Sequence, residues 1–97
     1  MAKNKKKKIK TKELWNLDIT IAEFIYPRLK KFKKITVGFP VGCTEEEWDK
    51  YLDEMIKAFK ILKTDGLHSE SYDYEKSEEE VKRGLELFVK YYNNLWY

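Results

Sequence analysis

The sequence predicts an all-α fold: a small three-helix domain behind a disordered basic N-terminal arm. Three observations carry that expectation. Apolar residues recur at helical spacing in three separate runs. Two of the runs open with a capping box. Between them lie a glycine-rich connector and a polar loop, both of which interrupt helices. Ninety-seven residues, 42% of them hydrophobic, supply one modest core.

Residues 1–12 carry seven lysines and one large hydrophobe, Ile9. They cannot bury enough apolar surface to offset their ordering entropy, so they read as a disordered arm. Such an arm reads first as a solvated tail, with a nucleic-acid-binding arm as the functional alternative. Residues 13–97 form the helical domain.

The first run, residues 14–34, organises the rest. Asp18 offers a short acceptor just before the apolar pattern and is the expected N-cap. Ile21, Ala22, Ile25, Leu29 and Phe32 share one face. Pro27 removes a backbone donor, but the stripe keeps its phase across it. One kinked helix over 18–34 is therefore predicted. Residues 35–43 hold two glycines and a proline and form a connector. A two-stranded element from residues 35–37 and 72–74 is the alternative.

Thr44 and Glu47 make the first capping box, and Trp48, Leu52, Met55, Phe59 and Leu62 follow on one face. The second helix is predicted over 45–64, with Gly66 at its left-handed end. Ser77 and Glu80 make the second box. Val81, Leu85, Phe88, Tyr92 and Leu95 then predict a third helix over 78–95.

The net charge of +3 conceals an asymmetry. Residues 1–43 hold 12 Lys/Arg against 3 Asp/Glu, and residues 44–97 hold 8 against 14. An anionic partner for the first half would satisfy this split, and so would attraction between the halves or between subunits. A homo-oligomer is expected.

Arg28, Lys30, Lys31, Lys33 and Lys34 have no acid three or four residues away. The later helices neutralise themselves through pairs such as Glu78 with Lys82. Arg28 stands at the border of the apolar stripe, where a guanidinium suits bidentate contact with phosphate or carboxylate. The expected ligand site is Arg28, Lys31 and Lys34, with Trp15 and Tyr26 available to stack on a base. Acids on neighbouring helices would be the alternative partners for the cations, and core packing the alternative role for Trp15.

Catalysis has little to draw on. His68 is the one histidine and Cys43 the one cysteine. No pair has metal-ligand spacing, and no glycine-rich loop follows a strand. A non-enzyme is expected, without cofactor or metal. No run reaches membrane-spanning length, so the expectation is a cytoplasmic protein.

The string from Trp15 through Leu17-Asp18, Ile21-Ala22 and Pro27-Arg28-Leu29 to a basic turn resembles a family of small uncharacterised bacteriophage proteins. Gly38-Phe39-Pro40 and Glu46-Glu47-Trp48 fit the same pattern, which covers residues 14–59. The resemblance implies a phage setting in an infected bacterial cell, where small proteins of this kind act in counter-defence or host takeover. With the cation block, it predicts a binder of a small anionic ligand such as a nucleotide immune signal. A DNA- or RNA-binding accessory protein and a protein–protein inhibitor are the alternatives.

Overall fold

A computed structural model describes residues 8–64 and 74–96 of the chain. Three helices make up the fold: α1 (Leu17–Ile35), α2 (Glu45–Lys63) and α3 (Tyr74–Lys90). Short 3-10 turns, Thr11–Leu14 and Tyr92–Asn94, precede α1 and follow α3. There is no strand among the described residues, which removes the two-stranded alternative as far as they extend. Of its segments, Ile35 closes α1, residues 36 and 37 are irregular, residues 72 and 73 lie outside the described set, and Tyr74 opens α3.

α1 is one continuous helix with Pro27 inside it. Its start differs from the expectation. Asn16, not Asp18, holds the cap position, with φ 52° and ψ 47°. Asparagine tolerates this left-handed conformation better than most residues, which lets the chain turn sharply out of the preceding 3-10 turn. The Asn16 carbonyl accepts from the amides of Ile19 and Thr20. Asp18 falls in the first turn, still at the positive end of the helix dipole.

α2 starts as its capping box dictates. The Thr44 hydroxyl accepts from the Glu47 amide at 3.1 Å, and the Glu47 carboxylate accepts from the Thr44 amide at 2.9 Å. At its far end the Thr64 hydroxyl donates to the carbonyls of Lys60 and Ile61. Gly66, the expected terminator, lies outside the described residues.

α3 corrects two expectations. Ser77 is not an N-cap: the helix begins at Tyr74, and Ser77 is buried inside it. Ser77, Val81 and Gly84 follow at i, i+4 and i+7, so they form one seam against α2. Burial on that seam overrides the local capping signal. The helix also stops at Lys90 rather than 95, because two asparagines, poor helix formers, follow. The bonds tighten there, with Asn94 N–H donating to the Tyr91 carbonyl and Leu95 N–H to that of Tyr92.

α2 is the spine. It contributes Trp48, Leu52, Met55, Ala58, Phe59 and Ile61 to the buried set, and packs against both other helices. Leu52 and Met55 are the largest side chains that are fully buried. α1 adds Ala22 and Leu29, and α3 adds Val81 and Leu87. Aromatic rings zip α2 to α3: Phe59 meets Phe88 edge-on at 5.1 Å, Tyr51 stacks on Tyr91 at 5.5 Å, and Trp48 meets Tyr91 edge-on at 5.4 Å.

Gly84 sets the separation of these two helices. A Cβ at this position would overlap the Cβ of Ala58 and lie 2.6 Å from the backbone carbonyl oxygen of Glu54. In an exposed helix, Gly→Ala gains about 1 kcal/mol from propensity. Here the sign reverses, because the nearest neighbours are helix backbone and a side chain with no rotamer to change. Gly84→Ala is expected to destabilise by about 1–3 kcal/mol. A thermal melt should show a fall of roughly 4–8 °C per kcal/mol. Adding Ala58→Gly should restore only part of it, since the Glu54 carbonyl remains.

Candidate functional site

The five cations of α1 separate into one that the fold uses and four that it does not. Lys33 lies four residues after Leu29, on the face that meets α2. Its ammonium donates to Asp53 at 2.8 Å and lies 3.7 Å from Asp49. The hydrogen bond to Asp53 raises its pKa above the ordinary lysine value; desolvation opposes this, and the charges of Asp53 and Asp49 add to it. Arg28, Lys30, Lys31 and Lys34 have no carboxylate within 4.0 Å among the described residues.

Arg28 is nevertheless fixed in place. Its guanidinium lies 3.8 Å from the centroid of the Phe24 ring. Its Nη1 donates to the Phe24 backbone carbonyl at 2.9 Å. Pro27, the residue before it, lacks the N–H that would bond the Glu23 carbonyl, whereas the Phe24 carbonyl accepts from the Arg28 side chain. The helix thus orients the guanidinium without using its charge. Beside it runs a groove of about 230 Å³, lined by Phe24, Ile25, Leu29 and Phe32 of α1 and by Phe88 and Leu95. The groove is apolar apart from Arg28 at its rim.

Lys31 and Lys34 follow Arg28 at i+3 and i+6 and are exposed, so the three cations form one ridge about 9 Å long. The two expected stacking aromatics lie elsewhere. Trp15 is 71% exposed and precedes the start of α1, which is itself about 16.5 Å along the axis from Arg28 at 1.5 Å per residue. Tyr26 is half-buried against the core, with the ammonium groups of Lys30 and Lys63 over its ring at 5.2 and 5.0 Å. It points about 200° away from Arg28 around the helix. The structure thus brings together Arg28, Lys31 and Lys34, but neither Trp15 nor Tyr26 joins them. Phe24 is the aromatic that does, and sequence reasoning missed it. The signal was available, since Phe24 precedes Arg28 by four residues.

Cys43 has a structural contact. Its thiol donates to the Tyr91 hydroxyl at 3.5 Å and ties the connector to the end of α3. That contact, with desolvation and neighbouring charge, pushes the Tyr91 pKa up to about 12. A second cleft of about 410 Å³ lies between the connector and the C-terminal turn, lined by Val37, Phe39, Pro40, Trp48, Asn94 and Trp96. It carries no charged side chain. Among the described residues no three His, Cys, Asp or Glu residues could hold a metal ion, and no helix is long and apolar enough to cross a membrane. His68 lies outside the described residues.

The Lys33 bridge gives a pH-dependent test. Both aspartates are exposed, so the cluster is worth at most about 1 kcal/mol. A raised lysine pKa contributes stability in full below the unfolded value of about 10.4, and that stability fades as pH rises through the folded value. Lys33→Met should therefore melt lower than wild type at neutral pH, with the gap closing as pH rises beyond ~10.4. A gap constant across that range would contradict the assignment.

Comparison with protein-family models, with curated proteins and with solved structures finds no match to this chain.

Proposed function

We propose that this protein is a non-enzymatic binder of a small anionic ligand, with Arg28 as its anchor. The observation that carries the reading is a guanidinium held by its own helix, with no acid partner among the described residues, at the mouth of an apolar groove. Orientation costs little further entropy when the ligand arrives, and a guanidinium can meet phosphate or carboxylate with two parallel hydrogen bonds. Lys31 and Lys34 extend the positive ridge toward a second charged group. The groove is smaller than the ~300 Å³ at which drug-sized pockets begin, so it suits one ring rather than a whole ligand. A nucleotide has that division, with one flat ring and a phosphate. The phage resemblance supplies the setting: a counter-defence protein sequestering a nucleotide-like signal in the cytoplasm of an infected bacterium.

A second reading draws on α1 alone. Leu17, Ile21 and Phe24 are exposed along the same edge as Arg28, which suits an acidic, partly apolar protein surface. A nucleic-acid reading has four cations on α1 to work with, since Lys33 is committed to Asp53. If each met a duplex phosphate, log affinity would fall with log salt at a slope of about −3.6.

Calorimetric titration with mono-, di- and cyclic nucleotides tests the main reading. Arg28→Ala should abolish binding, Arg28→Lys should weaken it, and the melting temperature should hold within ~2 °C for both, because no buried partner is left unpaired. Binding that survives Arg28→Ala while stability falls would sink the anion-site reading.

A further inference from the structure

The outer face of α3 has no partner among the described residues and bears a charge pattern that its own reverse completes. A shallow groove of about 650 Å³ runs along it, lined by Val81, Leu85 and Val89 and bordered by Glu78, Lys82, Glu86 and Lys90. Leu85 is 36% exposed and Val89 74% exposed. The i,i+4 pairs expected of the spacing, such as Glu78 with Lys82, are not formed: none of the four bordering charges makes an ion pair with another described residue.

Those four charges stand at i, i+4, i+8 and i+12 and alternate in sign: acid, base, acid, base. Read backwards, the row gives base, acid, base, acid. An antiparallel copy of α3 therefore sets Glu78 against Lys90, and Lys82 against Glu86, on both sides of a two-fold axis. The axis implied by the charges passes through position 84. Val81 is buried against α2, so the exposed apolar pair is Leu85 and Val89, centred on position 87, about 4.5 Å further along the helix. The charged border therefore sets the dyad, with Leu85 one residue from it, as in antiparallel helix pairs whose flanking charges choose orientation. A parallel copy in register would leave the two rows on opposite flanks, where they do not meet.

We infer that α3 pairs with α3 of a second copy, antiparallel, through Leu85 and Val89 with the Glu78–Lys82–Glu86–Lys90 row alongside. Leu85 and Val89 offer roughly 200 Å² per copy, at ~200 Å² for a large side chain. That is well short of the ~800 Å² per partner of a standard interface, so the dimer is weak and reversible. The face shares no lining residue with the groove beside Arg28, so the pairing stands independently of ligand binding.

Sedimentation velocity on the full chain, from about 1 to 200 μM, reads the equilibrium directly. Wild type should move from monomer to dimer across that range. Val89→Glu should stay monomeric with unchanged circular dichroism, because Val89 is mostly in solvent within one chain. Glu86→Lys sets lysine against lysine at two places and should weaken the dimer at least tenfold. The swap Lys82→Glu with Glu86→Lys changes the row to acid, acid, base, base, which again opposes its own reverse, and should restore association. A wild type that is monomeric throughout would overturn the inference. So would a dimer indifferent to Val89→Glu, or a swap no better than Glu86→Lys alone.

Discussion

The closest approach of α2 and α3 is the constraint on which the rest depends. Gly84 lets α3 lie against the Ala58 side chain and the Glu54 carbonyl, closer than any other residue would allow. At that separation Phe59 reaches Phe88, and Trp48 and Tyr51 reach Tyr91. Arg83 can then meet Glu54, and Lys57 can meet Glu80, across the same seam. Tyr91 in turn accepts the Cys43 thiol and so positions the connector that follows α1. A single missing methyl group thereby sets the geometry at both ends of the molecule.

With α2 fixed as the spine, α1 spends few of its groups on holding the fold. Ala22 and Leu29 enter the core, and Lys33 reaches Asp53. Arg28, Lys31 and Lys34 remain on the outside, and Arg28 is oriented by Phe24 and a backbone carbonyl rather than by an acid. α1 carries Pro27 inside it without ending there.

Local chemistry was legible in the sequence where no competing contact intervened. Thr44 and Glu47 form the capping box that their spacing predicts, because nothing packs over the start of α2. Ser77 has the same spacing to an acid, but the apolar period of α3 carries it onto α2, and burial won. Asp18 lost the cap to Asn16 because the chain needed a left-handed residue there, a demand made by the preceding turn. At the site, the border position of Arg28 follows from helical phase alone. The Lys33–Asp53 bridge does not, since it requires knowing how α1 lies on α2. Tyr26 illustrates the opposite error: a border aromatic in the sequence, drawn half inside by packing.

The central claim is that four cations of α1 are surplus to folding. Replacing Arg28, Lys30, Lys31 and Lys34 together by glutamine, and melting the variant beside wild type at low ionic strength, tests it most directly. Removing like charges spaced three and four apart relieves repulsion, at most offset by lost helix-dipole and ring contacts. The melting temperature should stay within about 2 °C of wild type, or rise. A fall of more than about 5 °C would mean that these cations hold the fold together, and the account would be wrong.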